Sequence, residues 1–134
     1  MTLQEIYNTS KAHLLKQGVK AEGQFHPRKP PIPVYRLPNG LKCAIGCHIP
    51  DELYDPKMEK KGIIRLIKDF PDQMKSVFGE DVAGFMTSGV GLTTDKNKWT
   101  FLEKLQWIHD SDCVDPKEWK NELTKLALSF NLES

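Results

Sequence analysis

The apolar residues of this chain recur at helical spacing in several separate stretches, and proline or glycine breaks the pattern between them. In the first stretch, Thr2 and Glu5 stand at capping-box spacing, which satisfies amide groups that a helix start leaves unpaired. Gly18 stands where a left-handed C-terminal cap is expected, so this stretch predicts a helix over 3–17. By the same spacing, further helices are expected over 63–70, 71–78, 99–111 and 115–130.

The segments between these helices predict one hairpin, one connector and one loop. Residues 34–44 hold two short strand-like runs around Asn39-Gly40, a pair that favours a tight turn, and predict a β-hairpin. Prolines make 19–33 a Pro-rich connector, and glycines make 80–98 a mobile loop. The expected fold class is α+β, mainly α, with four or five amphipathic helices packed with one short β-hairpin in a single domain, residues 1–134.

Composition and charge exclude several classes of protein. With 39% apolar and 28% charged residues, the chain has the composition of a folded domain. Nineteen Lys and Arg against 18 Asp and Glu leave a net charge of +1, which excludes a broad basic field for nonspecific nucleic-acid binding. No apolar run is long enough to span a bilayer, so we expect a cytoplasmic protein with no membrane contact.

Two segments carry a resemblance to a known group of proteins. Residues 40–54 read G-L-K-C-A-I-G-C-H-I-P-D-E-L-Y, and residues 105–110 read L-Q-W-I-H-D before a terminal helix with Trp119. These segments resemble small phage and prophage proteins of no established activity, in which a hairpin leads into G-L-K-C-A-x-G-C-x-I-P-D-E-x-Y. His48 stands where an apolar residue is expected. The resemblance implies a phage accessory or host-modulating factor and brings no catalytic role with it.

The three cysteines and one histidine suggest a metal site. Cys43 and Cys47 are spaced C-x3-C, and His109 and Cys113 are four residues apart on a predicted helix, so this second pair shares one face. Four such nitrogen and sulfur ligands suit tetrahedral zinc. The other interpretation is that the thiols pack as small apolar groups, because an odd number of cysteines argues against a disulfide scaffold. In that case His109 donates a ring proton to a carbonyl or carboxylate beside the core.

Two tryptophans and a short basic segment are the candidate partner-binding residues. Trp99 and Trp107 point away from the stripe that Leu105 defines, and exposed tryptophan is enriched in binding hot spots. The alternative is a broad, two-sided core that covers both indoles. In the connector, Arg28 and Lys29 are placed to touch phosphate. A nucleic-acid contact through these and neighbouring cations is not favoured, because the net charge makes any such field local: Arg28, Lys29, Lys57, Lys60 and Lys61.

The sequence contains no complete catalytic constellation. The glycines of 84–89 have the spacing of a phosphate loop, but Val90 and Gly91 stand where that loop needs Lys and Ser or Thr. The favoured interpretation is a small cytosolic, non-catalytic binding protein without a cofactor that contacts a host or phage protein or a ligand. The alternative is a zinc-binding domain, structural or hydrolytic, that uses the residues named above: Cys43, Cys47, His109 and Cys113.

Overall fold

The computed structural model describes residues 1–83 and 97–134 of this protein, and most of these residues are helical. Five α-helices occur in these ranges: α1 Leu3–Gln17, α2 Ile63–Asp69, α3 Pro71–Phe78, α4 Lys98–Asp110 and α5 Trp119–Ser129. Short 3₁₀ turns lie between them: Gly46–His48, Pro56–Met58, Glu80–Ala83 and Pro116–Glu118. Two short antiparallel strands, β1 Glu22–Gly23 and β2 Ile32–Pro33, complete the predicted α+β, mainly α fold.

The predicted ends of α1 are confirmed. The Thr2 hydroxyl oxygen accepts the Glu5 N–H at 3.1 Å, which satisfies one of the amide groups in the first turn. At the other end, Gly18 has a φ of 71° and donates its N–H to the Leu14 carbonyl. Only a residue without a side chain adopts that left-handed conformation at little cost, so Gly18 ends the helix.

The core forms where the apolar stripes of the helices meet. Helix α1 packs on α5 and on the turn Gly46–His48, and α4 packs on α5 and on α2. Tyr7, Phe101 and Trp119 are among the largest fully buried side chains. Burial of one such side chain stabilises the fold by about 1.5–3 kcal/mol. Burial of the apolar side chains in this core is therefore the main favourable contribution to the free energy of folding.

The hairpin expected over 34–44 forms, but its strands are shorter than predicted. The chain turns at Gly40, whose φ is 96°, and one antiparallel bridge joins Arg36 to Lys42. Beyond this bridge the pairing stops, because the Tyr35 N–H donates to the Glu59 carboxylate at 2.8 Å and the Cys43 carbonyl accepts the Cys47 N–H. A carboxylate from another segment thus takes an amide group that the facing strand would have used.

The Pro-rich segment 19–33 is more than a connector. It folds back on itself, because Glu22 pairs with Pro33 and Gly23 pairs with Ile32 in antiparallel register. Residues 24–31 form the loop between these strands, and we call them the arm loop. The prediction placed the only hairpin after this segment, and prolines, which lack an N–H donor, gave no strand signal.

The predicted loop 80–98 is helical at both of its ends, at Glu80–Ala83 and at the start of α4, and its residues 84–96 lie outside the described ones. The Lys98 ammonium donates to the carbonyls of Met1 and Phe78 and to the Asp81 carboxylate, at 2.5, 2.6 and 2.6 Å. This hydrogen bond also holds the pKa of the Asp81 carboxyl below its usual range. One buried ammonium thus joins the start of α1, the end of α3 and the start of α4.

Replacing Gly46 by alanine is expected to destabilise the protein. A Cβ atom at Gly46 would lie 1.9 Å from the Tyr35 carbonyl oxygen, so the backbone must move to admit it. We expect Gly46→Ala to lower the free energy of unfolding by about 3 kcal/mol, measured by urea denaturation. Gly62→Ala is the matched control, because a Cβ at Gly62 meets no atom within 4 Å. Equal stability of the two variants would contradict the close packing of Gly46 on Tyr35.

Candidate functional site

The three tryptophans differ sharply in exposure. Trp107 on α4 is 54% exposed, whereas Trp99 on the same helix is only 4% exposed and Trp119 on α5 is fully buried. The expectation that Trp107 faces away from the core is confirmed, and the same expectation for Trp99 is wrong. The physical reason is that α4 packs on α2, on α5 and on the turn Glu80–Ala83, so its buried face is wide enough to cover Trp99.

Trp107 lies beside a shallow cavity between α4 and α5, which we call the Trp107 groove. The groove has a volume of about 360 Å³, and its lining combines apolar, cationic and anionic side chains from the two helices: Lys104, Trp107, Ile108, Glu122, Lys125, Leu126 and Ser129. An exposed tryptophan side chain beside a groove between two helices is typical of a protein contact.

The charges at the Trp107 groove are mainly positive. The Lys125 ammonium lies 3.2 Å from the Glu122 carboxylate, one helical turn away on α5. Lys104 is exposed and forms no ion pair with the residues of 1–83 or 97–134. With one of its two lysines paired, the groove keeps an excess positive charge, which favours a partner that brings carboxylates.

The three cysteines occupy three different environments. Cys43 is fully buried, and the Gly46 N–H donates to its sulfur at 3.2 Å. Cys47 is half-buried, and its thiol donates to the Ala44 carbonyl at 3.3 Å. Cys113 is exposed. Burial raises the pKa of both Cys43 and Cys47 to about 12, which keeps these thiols protonated and chemically inert at neutral pH.

His109 is buried, and both of its ring nitrogens are in use. The Ala21 N–H donates to His109 Nε2 at 2.9 Å, so this nitrogen carries the lone pair and the proton is on Nδ1. Nδ1 then donates to Asp110 Oδ1 at 2.5 Å, which agrees with the expected ring-proton donor beside the core. The ring also stacks on Trp119 at 5.7 Å between centroids. His109 therefore holds the base of the Pro-rich segment against α4.

The zinc hypothesis finds no support in the described residues. No group of three or more His, Cys, Asp or Glu side chains in 1–83 and 97–134 is close enough to hold a metal ion. Of the four residues proposed, Cys43 is buried with a protonated thiol and His109 has no free ring nitrogen. Cys113 is exposed instead of facing them. The spacing along the chain was suitable, but the fold does not bring these residues to one point.

A buried serine and histidine, which sequence analysis did not identify, lie at hydrogen-bond distance. Ser10 Oγ on α1 is 2.7 Å from His48 Nε2, and it donates its single proton to the Ala44 carbonyl at 3.0 Å. His48 Nε2 must therefore donate to Ser10, which is the opposite of what a general base does. Ser10 is also fully buried, and His48 Nδ1 has no partner among the described residues to orient the ring. The hydrogen bond between Ser10 and His48 joins α1 to the Gly46–His48 turn.

The basic residues of the arm loop are exposed, as a contact role requires. Arg28 and Lys29 lie at the tip of the loop, in the turn between β1 and β2. Sequence analysis named Lys60 with these cations but missed Phe25 and the contact between the two. Phe25 is 60% exposed, and the Lys60 ammonium lies 5.3 Å from the centre of its ring. A helical wheel cannot identify such residues, because they belong to loops that only the fold brings together.

Comparison with family models, curated proteins and solved structures finds no match to this chain. Among the helices of residues 1–83 and 97–134, none combines the length and the apolar character of a membrane span. Function is therefore inferred below from the geometry of the described residues.

Thiol reactivity is expected to separate the three cysteines. At about pH 8, a thiol with a pKa of about 12 is roughly one part in ten thousand thiolate, the reactive form. In native protein, a thiol reagent should quickly modify Cys113, whereas Cys43 and Cys47 should react only after denaturation. Mass spectrometry of the labelled peptides measures this. Fast labelling of Cys43 in the folded protein would contradict the burial of its side chain.

Acid is expected to destabilise the protein through His48. Burial, and then the charge of nearby His13, lower the pKa of His48 from 6.5 to about 4, so the unfolded chain takes up the proton first. The stabilisation is complete above pH 6.5 and is lost as the pH falls to about 4, by about 3 kcal/mol in total. Urea denaturation across this pH range measures the loss.

His48→Leu is the matched variant for that measurement, since leucine keeps an apolar side chain in the site and does not titrate. All other carboxylates and histidines contribute to both proteins, so the difference between the two pH profiles isolates His48. The wild-type protein should lose more stability than His48→Leu between about pH 7 and pH 5. Parallel profiles would contradict the low pKa of His48.

Proposed function

We propose that this protein is a non-catalytic binding protein that contacts another protein through the Trp107 groove. The observation that supports the proposal is the exposure of Trp107, at 54%, in a chain whose other two tryptophans are buried. An exposed indole contributes nothing to the core and is costly to leave in water. Covering it on binding removes a large apolar area from solvent, which is why tryptophan dominates many interfaces.

The groove favours a particular kind of partner. Trp107 supplies an exposed apolar contact area, which the groove-lining Ile108 and Leu126 extend. Lys104 and Lys125 supply positive charge on the two helices beside it. The partner that fits is a protein segment with apolar side chains that cover the indole and with carboxylates that reach the lysines. An amphipathic helix with acidic residues beside its apolar stripe has this chemistry.

The resemblance to phage and prophage proteins supplies the biological setting of this proposal. In that setting the protein acts in the cytoplasm as an accessory or host-modulating factor, and its partner is a host or phage protein. A binding role without catalysis is consistent with the buried, protonated thiols. It is also consistent with the Ser10–His48 pair, in which His48 donates a proton to the serine hydroxyl and so cannot act as its base.

Trp107→Ala is expected to weaken partner binding without unfolding the protein. The partner is first captured from a lysate of the native host and purified, and its affinity is then measured by titration. Because Trp107 is the exposed member of three tryptophans, its fluorescence should shift to shorter wavelength when the partner covers it. Loss of this indole should reduce the affinity at least about tenfold, as hot-spot residues do.

Phe25→Ala is the matched control, since it removes another exposed aromatic side chain from a different element, the arm loop. It should leave the affinity for this partner unchanged, and both variants should keep the wild-type melting temperature within a few degrees. Equal affinity of wild type and Trp107→Ala would disprove the proposal. A zinc ion retained at stoichiometric amount after purification would also argue against it, in favour of a metal-dependent domain.

A further inference from the structure

The arm loop presents an aromatic side chain that is held in place without being buried. Phe25 is 60% exposed, and the edge of its ring lies so close to Gly23 that a Cβ there would be 2.8 Å from two ring carbons. The Lys60 ammonium lies 5.3 Å from the ring centre. Glycine at position 23 therefore provides the space in which the ring rests, and a cation stands beside it.

Hydrogen bonds fix the backbone of the arm loop. The Gln24 side-chain amide donates to the carbonyls of His26 and Lys29, at 2.6 and 2.5 Å. The Arg28 N–H donates to His26 Nδ1 at 3.1 Å, and prolines restrict the rest of the loop. A loop that is already ordered loses little conformational entropy when it binds, so contacts made there convert efficiently into affinity.

Four exposed cations lie in the two segments that meet at this ring, the arm loop and residues 57–60. Arg28, Lys29, Lys57 and Lys60 form no ion pair with another residue of 1–83 or 97–134. Arg28 and Lys29 follow Phe25 by three and four residues, and Lys57 precedes Lys60 by three, so their backbone positions lie within about 14 Å of chain from that contact. Because the Phe25–Lys60 contact brings the two segments together, we treat the four cations as one patch.

Glu22, Asp55 and Glu59 lie beside the patch, but none of them forms an ion pair with its four cations. The arm loop contains no Asp or Glu. The Glu59 carboxylate, next to Lys60 in the chain, is directed inward, where it accepts the N–H of Tyr35 at 2.8 Å and the hydroxyl of Tyr54 at 2.7 Å. A local positive field is thus compatible with a net charge of only +1 for the chain.

From this juxtaposition we propose that the arm-loop surface binds single-stranded nucleic acid. A base stacks on the Phe25 ring, and the flanking phosphates meet Arg28, Lys29 and Lys60. An exposed aromatic ring among unpaired cations is the combination that single strands require, because every base has a flat face and every linkage carries a charge. An acidic protein would use the cations but would have no need of the ring.

The test is a fluorescence-anisotropy titration with a labelled oligothymidylate of about 12 nucleotides, at about 50 and 200 mM salt. We expect saturable binding. The logarithm of the association constant should fall linearly with the logarithm of the salt concentration, with a slope of about −2 to −3, as for three or four phosphate contacts. Phe25→Ala should weaken binding roughly tenfold, since one stacked base is lost. No binding at the lower salt concentration would overturn the proposal.

Two control variants separate a site from a general charge effect. Arg28→Ala/Lys29→Ala and Lys117→Ala/Lys120→Ala both remove two exposed cations, but only the first pair lies in the arm loop. The first variant should weaken binding and flatten the salt dependence, and the second should do neither. Equal losses in the two variants would overturn the proposal.

A competition experiment and a variant of the Trp107 groove complete the test. An oligoglutamate peptide of the same length should displace the oligonucleotide poorly, and equally good displacement would replace the proposal with a site for acidic protein. Trp107→Ala should bind the oligonucleotide as the wild type does, because Trp107 belongs to the groove between α4 and α5. Failure of nucleic-acid binding thus leaves the Trp107 proposal standing, and failure of protein capture leaves this one standing.

Discussion

Helix α4 is packed against α2 and against α5, and the placement of most functional side chains in this protein depends on that double contact. Because the buried face of α4 is wide, Trp99 lies inside the core, whereas Trp107 lies at the edge of the contact with α5 and stays exposed. His109, near the end of the same helix, accepts the Ala21 N–H just before β1. One buried helix therefore positions the Trp107 groove directly, and it holds the base of the arm loop through hydrogen bonds from Lys20 and Ala21 to Ser111 and His109.

The polar groups of the interior join segments of the chain to each other. Ser10 and His48 join α1 to the Gly46–His48 turn, and Lys98 joins the start of α4 to the end of α3. Burying such groups costs free energy that hydrogen bonds offset, and the donors of Ser10 and Lys98 each have specific acceptors. The proposed activity is accordingly placed on the outside, where an indole and a phenyl ring remain uncovered and cations remain unpaired.

Local sequence signals predicted the helices well and the remaining segments poorly. The Thr2 cap, the Gly18 cap and the break at Pro71 act within one helical turn, so the chain itself specifies them. The strands expected over 34–44 are shorter than predicted, because Glu59, distant in sequence, accepts the Tyr35 N–H that the facing strand would have taken. The metal site finds no support in residues 1–83 and 97–134 for a related reason, since spacing fixes the side of a helix on which a ligand stands but not its distance from other elements.

The sequence alone therefore determined the helices, their apolar stripes and the presence of tryptophan and basic residues available for binding. Only the tertiary structure decided which tryptophan is exposed, and it alone joined Phe25 to Lys60 across 35 positions of sequence. The physical reason is that helix formation depends on neighbours within one turn, whereas exposure depends on every element that packs against a residue.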